Sequence, residues 1–397
     1  MKFNKWTLGL AAVGAVSLAS AARADEAKII PMQTALANTT ISGYVDTAVQ
    51  YNAGNVGSSY DGSYSQRVPA GTFGAAVDSF TLNDVDIAID HPLDSTPWAA
   101  GYHVDLNWGT QAITAYNSTV RQAYVALSTP VGNGIQWKMG VEDDIIGYEG
   151  NTDASNPNYT RSYGYSIEPT TLLGLVGTYQ INSIITVQAG LAENFTTGPT
   201  TDVDSQSPYE VSSKVFAGAV ALTAPDSWGW IKGATLNLGT LISPWKGGAD
   251  NWYAGLTIPT PLSALKLGAA FDLRSVNNKG QSNFNPGNSQ NDSGFVVGLY
   301  GNYQATDKLS FNLRGEYFDL QGSVLNPYYY DTANGKGEEF TATVQYNLWA
   351  NVTSRAEFRW DHSDSGKAFN GGGYYYETAT EGDANSYILA LNVIYSF

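Results

Sequence analysis

The chain has 397 residues, no cysteine and a formal net charge of −16, from 20 lysines and arginines against 36 aspartates and glutamates. This charge disfavours binding to nucleic-acid phosphates, and the absence of cysteine excludes disulfides and thiolate metal sites. Only 14% of the residues are charged, whereas a soluble acidic domain would carry nearer a quarter, and the chain is instead rich in glycine (42) and tyrosine (26).

The first 24 residues have the pattern of a secretory signal peptide. Lys2 and Lys5 give a positively charged start, residues 8–19 are largely apolar, and a small-residue Ala-Arg-Ala cleavage motif follows. The apolar stretch is shorter than the roughly 20 residues that a membrane-spanning helix needs. We therefore expect residues 1–24 to direct export and residues 25–38 to form a short periplasmic leader.

From Thr39 to the end, apolar and polar residues alternate in about sixteen segments of about 9–13 residues each. In one of them, Leu309, Phe311 and Leu313 alternate with polar neighbours. Successive side chains of a strand point to opposite faces, so each segment has one apolar and one polar face. The segments are longer than common strands of about 5–6 residues and match the length that a tilted strand needs to cross a bilayer. The pattern predicts an all-β fold, a transmembrane antiparallel up-and-down β-barrel of about 16 strands at residues 39–397, rather than a soluble sandwich. The segments beginning near Arg121 and Ile231 alternate less cleanly than the others.

The links between these segments alternate between short and long. Short links include Val131-Gly132-Asn133-Gly134, whose glycines suit a tight hairpin. Bacterial barrels pair short periplasmic turns with longer external loops. We therefore place both termini on the periplasmic side and predict long external loops at residues 52–77, 143–166, 195–211, 276–293, 321–338 and 362–384.

The chain ends on an amphipathic strand. The residues on its apolar side are Tyr387, Leu389, Leu391, Val393, Tyr395 and Phe397. A terminal aromatic residue after such a strand is the feature that bacterial barrel-assembly machinery recognises. We predict that Tyr395 and Phe397 form a C-terminal assembly signal.

Several segments resemble the OmpL-like β-barrel porin family of bacterial outer membranes. They include Ser42–Asp46, Ser79–Val85 and, most distinctively, Gly147–Pro169. The resemblance is good over roughly Ile41–Gln180 and thin afterwards, and it implies a pore-forming outer-membrane protein without an established substrate. Members often carry a basic residue and a Thr-Pro pair where this chain has Val-Glu-Asp-Asp at 141–144, so the family's charge selectivity is not carried over.

A barrel of about sixteen strands is wide enough to hold an aqueous channel. The alternation predicts charged pore-lining residues, in which acids outnumber bases: Asp46, Asp84, Asp86, Asp105, Lys138, Glu142, Lys266, Asp272, Arg274, Arg314, Glu316, Arg355, Glu357 and Arg359. Two interpretations remain open. These residues are either solvated wall charges, or they create a transverse field in which acids of the second and third strands face the Arg314, Arg355 and Arg359 cluster across the bore.

The third external link, at residues 143–166, is the candidate constriction loop. It carries Asp143, Asp144, Glu149 and Asp153, and we hypothesise that these acids give a preference for cations. The alternative is an ordinary acidic loop that faces outward.

The sequence thus predicts an outer-membrane porin for passive diffusion of small hydrophilic solutes and ions. The alternative is a structural or adhesive barrel without an open pore. His103 is predicted to lie one strand from Asp84 and Asp86, but no Gly-x-Ser-x-Gly signature accompanies it, and we expect no enzyme activity, cofactor or dedicated metal site. The expected partners are outer-membrane lipid and lipopolysaccharide, the barrel-assembly machinery, small hydrophilic solutes and other copies of the chain in a homotrimer, with no nucleic acid.

Overall fold

The computed structural model describes residues 38–53, 79–112, 119–197, 214–243, 249–276, 292–320, 335–364, 366, 369 and 383–397. The predicted signal peptide, almost all of the leader and the middle of most predicted external loops therefore lie outside the described residues. Among the described residues, no helix is long and apolar enough to span a membrane.

The described residues form sixteen strands. In chain order, their bounds are β1 Thr40–Ala53, β2 Ser79–His91, β3 Ala99–Trp108, β4 Val120–Thr129, β5 Ile135–Asp143, β6 Pro169–Gln180, β7 Ile185–Thr197, β8 Val215–Thr223, β9 Thr235–Ile242, β10 Ala249–Pro259, β11 Leu265–Val276, β12 Asp292–Gln304, β13 Leu309–Leu320, β14 Gly335–Trp349, β15 Val352–Ser363 and β16 Asn385–Ser396. One short helix, α1 (Tyr163–Ile167), and a 3₁₀ turn at Asp153–Ser155 lie between β5 and β6.

The strands form one closed barrel in which each strand pairs antiparallel with its neighbours in the chain, and β1 closes the ring by pairing with β16. The ring has no free edge, so every strand has two hydrogen-bonded partners, as a strand in a bilayer requires. The last residue takes part in the closure, because the Phe397 amide donates to the Gly43 carbonyl at 2.9 Å. The predicted sixteen-stranded antiparallel barrel is confirmed.

The two faces of the wall have the polarity expected of a barrel in a bilayer. On β16, the outward-facing Leu389, Leu391 and Val393 are half exposed, whereas Asn392 faces inward and is 2% exposed. Large apolar side chains are exposed on the outer face of many other strands, while most buried charged groups lie on the inner face. The distribution of apolar residues outside and charged residues inside is the reverse of that in a soluble protein, where charged residues are almost never fully buried unless they are paired. Hydrocarbon outside the wall accounts for the exposed apolar face.

Several predicted loop bounds were wrong by a few residues, because alternation does not show where strand pairing stops. Strands β1, β7 and β15 continue to Ala53, Thr197 and Ser363, and β14 already begins at Gly335. The link after β8 is longer than its sequence suggested. It contains a 3₁₀ segment, Asp226–Ile231, so β9 begins at Thr235 rather than near Ile231.

Candidate functional site: the inner wall and loop L3

The segment between β5 and β6, residues 144–168, folds into the barrel, and we refer to it as loop L3. Its own side chains fix its shape. The Asn156 side-chain oxygen accepts from the Gly150 backbone amide at 3.0 Å, and its side-chain nitrogen donates to the backbone carbonyls of Gly150 and Thr152 at 2.7 and 2.9 Å. Ser162 caps helix α1 by accepting from the Tyr165 amide at 2.9 Å, as serine commonly does at this position. Gly147 adopts a φ of +113°, where a β-carbon would also meet the Glu168 carboxylate, so this turn requires glycine.

Arg314 on β13 is the main anchor of L3. Its guanidinium donates to the Glu149 carboxylate of L3 at 2.7 Å and to the Thr160 carbonyl at 2.8 Å. On its own wall it donates to both carboxylate oxygens of Glu339 at 3.1 Å. Arg314 is completely buried, and these contacts engage each of its three nitrogens. A buried charge is tolerated when it is paired and hydrogen-bonded in this way.

Carboxylates of the wall accept hydrogen bonds from the backbone of L3. Glu357 on β15 accepts from the amides of Tyr159 and Thr160 at 2.5 and 2.9 Å. Glu316 on β13 accepts from the Tyr163 and Gly164 amides at the start of α1 at 2.8 and 3.2 Å. Backbone amides that would otherwise be unpaired in the lumen thus have charged acceptors, which strengthens each bond.

Arginines of β15 hold backbone carbonyls of L3. Arg359 donates to the Arg161 carbonyl at 2.8 Å and to the Asp361 carboxylate at 2.7 Å. Arg355 donates to the Asp153 carbonyl at 3.1 Å. Strands β13–β15 therefore recognise both the donors and the acceptors of the loop backbone.

Strands β1 and β2 bind the tip of L3. The Tyr44 hydroxyl donates to the Asp84 carboxylate and accepts from the Asp153 amide at 3.1 Å. The Tyr159 hydroxyl of L3 donates to the Asn83 side chain at 3.2 Å. Because β1 pairs with β16, these contacts continue around the ring from those on β15.

Apolar contacts complete the docking. Ile145 and Ile146 pack against an inward-facing apolar patch of β6–β9 that includes Leu172 and Leu241. Tyr148 stacks on Tyr300 of β12 with ring centroids 3.9 Å apart. Tyr163 stacks on Phe318 of β13, in a cluster that also contains Ile167 of L3. Tyr159 packs against Ala48 of β1 and Ala390 of β16. L3 thus contacts the inner wall on most sides of the bore.

Burial raises the pKa of three carboxyl groups in L3. The pKa of Glu168 is raised well above its usual value, first by burial and then by the neighbouring Asp272 carboxyl, with Asp144 and Glu149 adding to the effect. Burial also raises the pKa of Asp144 and of Asp153, although Arg161 and Arg355 oppose it at Asp153. The loop therefore holds acids that favour the neutral form more than free carboxyls do.

The four predicted constriction residues have different environments. Asp143 is the last residue of β5 rather than a loop residue, because Arg121 of β4 holds its carboxylate at 2.8 Å and strand pairing continues to it. Asp144 lies at the base of L3. Glu149 and Asp153 are buried in L3 and ion-paired, with Arg314 at 2.7 Å and Arg161 at 2.6 Å. Their charges are balanced locally rather than displayed to the bore.

All the predicted pore-lining residues face the interior, but most are not open to water. The buried ones, many of them under L3, are Asp46, Asp84, Asp86, Asp105, Glu142, Asp272, Arg314, Glu316, Arg355, Glu357 and Arg359. Lys138, Lys266 and Arg274 remain partly exposed. Whether these groups line a conducting pore stays a prediction.

The transverse-field interpretation is wrong about the positions of the clusters. Closure places β16 between β15 and β1, so Arg355 and Arg359 lie only two strands from Asp46 and three from Asp84 and Asp86. Arg355 and Arg359 are therefore neighbours of the acids of β1 and β2 along one side of the wall. Part of L3 lies between them, since the Asp153 carbonyl contacts Arg355 and its amide contacts Tyr44.

A second group of polar residues forms a ladder across β2–β5, and we call Asp90, His103, Tyr124, Lys138 and Glu142 the side-wall cluster. The His103 Nδ1 lies 3.0 Å from Asp90, and its ring stacks on Tyr124 at 5.2 Å. The Lys138 ammonium lies 4.6 Å from the centre of the Tyr124 ring and 3.3 Å from Glu142. The side chains of Asp90 and Lys138 are 40% and 37% exposed, unlike those that L3 covers. This side of the inner wall keeps two charged groups of opposite sign accessible.

Sequence reasoning missed several residues of the docking site. The docking site includes Tyr44, Tyr159, Arg161 and Glu339, and Arg121 holds Asp143 at the end of β5, where L3 begins. The parity of β1 and β14 would have placed Tyr44 and Glu339 on the inner face. Arg121 faces inward against the parity of β4, because the register with β3 shifts at this residue. No sequence pattern shows that Tyr159 and Arg161 of a loop are buried inside the barrel.

The family comparison decides the class of protein. The family described as "Putative beta-barrel porin-2, OmpL-like" matches residues 38–397. The chain belongs to this porin family. The match covers the whole barrel, so the family likeness extends well beyond residue 180, where the sequence resemblance was thin. Membership places the protein among the β-barrels of the bacterial outer membrane.

Solved structures share the fold at low sequence identity. The outer-membrane channel DcaP of Acinetobacter baumannii superposes with a TM-score of 0.58 at 11% identity, over 90% of this chain and 97% of that one. OmpT of Vibrio cholerae gives 0.55 at 12% identity, over 92% and 100%. An anion-selective porin from Comamonas acidovorans gives 0.55 at 10% identity, over 90% and 99%. No curated protein matched the sequence.

Proposed function

We propose that this porin-family barrel is an open, water-filled channel for passive diffusion of small hydrophilic solutes and ions, narrowed by L3. The observation that carries the proposal is the docking of L3 on buried ion pairs and apolar contacts at the wall, while the side-wall cluster keeps charged groups exposed. A loop fixed in this way narrows a channel without needing to move during transport.

We further propose that solutes pass L3 along β2–β5. Asp90 and Lys138 are the partly exposed charged groups of the side-wall cluster, and their ion-pair partners, His103 and Glu142, belong to the same wall. The linked ion pairs of β2–β5 join five carboxylates to three bases even when His103 is counted as a cation, which favours cations over anions: Asp86, Asp90, Asp105, Glu142 and Asp143 against His103, Arg121 and Lys138. We propose no enzymatic reaction for this barrel. The proposed partners are solutes, outer-membrane lipid and lipopolysaccharide, the assembly machinery acting on Tyr395 and Phe397, and two further copies in a trimer.

The test is single-channel conductance and reversal potential in a planar bilayer, with Lys138→Glu as the variant. Two unit charges about 4 Å apart in water interact by about 1 kcal/mol. One such interaction corresponds to about a fivefold change in permeability, and reversing Lys138 acts in opposite directions on cations and anions, so the cation-to-anion permeability ratio should rise by at least about fivefold. Lys232→Glu is the matched control, because Lys232 is exposed on the link between β8 and β9 and pairs with Asp226.

Each outcome bears on a different part of the proposal. A wild-type channel that selects anions would reject the cation preference. Equal responses of Lys138→Glu and Lys232→Glu would reject the route along β2–β5. Folded protein that inserts but never conducts would favour the alternative, a structural or adhesive barrel closed by L3.

A further inference from the structure

A group of potential metal ligands lies on the outer face of the barrel, away from L3 and the inner wall. Glu338 on β14, His362 on β15 and Asp364 just after β15 each offer one ligand atom, and these atoms all lie within 4.8 Å of one another. Glu338 and His362 are direct cross-strand partners. The flanking residues Glu339 and Asp361 are buried in the interior, so alternation places Glu338 and His362 on the outer face.

The backbone holds this group in place. Glu338 and His362 belong to adjacent paired strands, and the Asp364 amide donates to the Lys336 carbonyl at 2.9 Å. The nearby Lys336 ammonium is paired with Asp319 at 2.9 Å, so its charge is already compensated. Ligands on paired strands are positioned more precisely than ligands on a loop.

A hydrogen-bond relay fixes the protonation of the His362 ring. The Trp360 indole N–H, which can only donate, lies 2.9 Å from Asn385 Oδ1, so the atom of Asn385 at that position is its oxygen. His362 Nδ1 lies 3.0 Å from the same oxygen and must therefore be the protonated nitrogen. The neutral ring then has its lone pair on Nε2. Metal-binding histidines almost always donate their other N–H to an oxygen in this way.

We propose that Glu338, His362 and Asp364 bind a first-row divalent metal ion of the Zn²⁺ class at the outer rim of the barrel. One imidazole and two carboxylates suit Zn²⁺, whereas Ca²⁺ and Mg²⁺ prefer oxygen ligands alone. In a tetrahedral zinc site with bonds of about 2.0–2.1 Å, the ligand atoms lie roughly 3.3 Å apart. Binding therefore requires side-chain rotations that bring the three ligand atoms, which lie within 4.8 Å of one another, closer together. Three protein ligands leave a fourth position open.

The site lies at the external end of the apolar outer band. Trp360 on β15 and Tyr387 on β16 lie next to it and are outward-facing aromatics of the kind found at the membrane interface. Beyond them, the residues at the start of β14 and the end of β15 are mostly polar. The open position therefore faces the aqueous edge of the outer leaflet rather than the pore. The proposal is independent of whether the barrel conducts.

The test is isothermal titration of ZnCl₂ into folded, tag-free full-length protein in detergent. The chain has three histidines, so a histidine-dependent site has few possible origins. We expect one Zn²⁺ per chain in the wild type. His362→Ala and Glu338→Gln should each weaken binding by tenfold or more, and CaCl₂ should bind at least tenfold more weakly than ZnCl₂.

Two matched controls remove the same chemical groups elsewhere. His91→Ala removes the histidine that ends β2, on a different strand from the proposed site, and Glu193→Gln removes an exposed carboxylate of β7 that pairs with Lys214. Both should bind Zn²⁺ like the wild type, and retained heat-modifiable migration on gels shows that each variant is folded. Absence of binding in the wild type, full binding in His362→Ala, or equal affinity for Ca²⁺ would each overturn the proposal.

Discussion

Arg314 takes part in several of the buried ion pairs of the barrel interior. Arg314 contacts Glu149 and the Thr160 carbonyl on L3, and it contacts Glu339 and Glu316 on the wall. Three carboxylates therefore share this buried cation, and Glu339 has a second, more distant one in Arg359 at 3.8 Å. Removing one partner of a buried ion pair costs far more than the pair itself contributes, because the remaining charges lose their compensation.

Arg314→Met should lower the free energy of unfolding by about 3–5 kcal/mol. Glu149, Glu316 and Glu339 would remain buried without their shared cation, and L3 would lose its anchor on β13. Denaturant titration in detergent or lipid measures the stability, and single-channel recordings should show a higher and noisier conductance.

Lys232→Met is the control for Arg314→Met, because it removes an exposed cation outside the barrel interior and should change neither quantity appreciably. Similar stability of the two variants would show that the ion pairs of Arg314 do not hold L3.

At the scale of the element, the docking of L3 should depend on pH through Glu168. Burial and the adjacent Asp272 carboxyl raise the pKa of Glu168 in the folded protein, so its neutral form is favoured there. An acid with a raised pKa contributes stability that is fully present below its unfolded pKa, about 4.3, and is lost as the pH rises through its folded value. Stability should therefore fall with rising pH, by at most about 1.4 kcal/mol per pH unit from this group.

Glu168→Gln should flatten this dependence, because glutamine stays neutral at every pH. Thermal unfolding followed by circular dichroism between pH 5 and pH 9 measures the effect, with the exposed Glu193→Gln as control. A Glu168→Gln profile parallel to that of the wild type would show that this carboxyl does not control the loop.

The sequence singled out residues 143–166 as the candidate element to enter the barrel, with an outward-facing loop as the alternative, and it gave no indication of how the loop docks. Alternation assigned residues such as Asp46, Arg314 and Glu357 to the inner face, because the face of a side chain depends only on its position in a strand. Contacts such as Arg314 with Glu149 join residues 165 positions apart, and no local pattern specifies them. For the same reason, Asp143 was assigned to the loop although its pairing with Arg121 keeps it in β5.

The transverse-field hypothesis failed for a different reason. It placed the acids of β2 and β3 across the bore from the arginines of β13 and β15. In a closed ring, the first and last strands are neighbours, so residues far apart in sequence lie on the same side of the wall. The whole-molecule topology, rather than any single strand, determines which charges face each other.

At the scale of the whole molecule, the central claim is that L3 covers the β13–β16 side of the bore and reaches β1 and β2 at Tyr44 and Asn83, but leaves the side-wall cluster open to solutes. The two sides differ in accessibility. Lys138 is partly exposed, whereas Thr343 on β14 is 2% exposed and bonded to Asn158 of L3 and to Glu357. The absence of cysteine makes both positions addressable by a single introduced thiol.

The most direct test is therefore to record conductance while a charged, water-soluble thiol reagent is added to Lys138→Cys or Thr343→Cys channels. We predict that Lys138→Cys is modified and its conductance falls in discrete steps, while Thr343→Cys stays unmodified under the same conditions. Rapid modification of Thr343→Cys, or modification of Lys138→Cys without any change in conductance, would contradict the account.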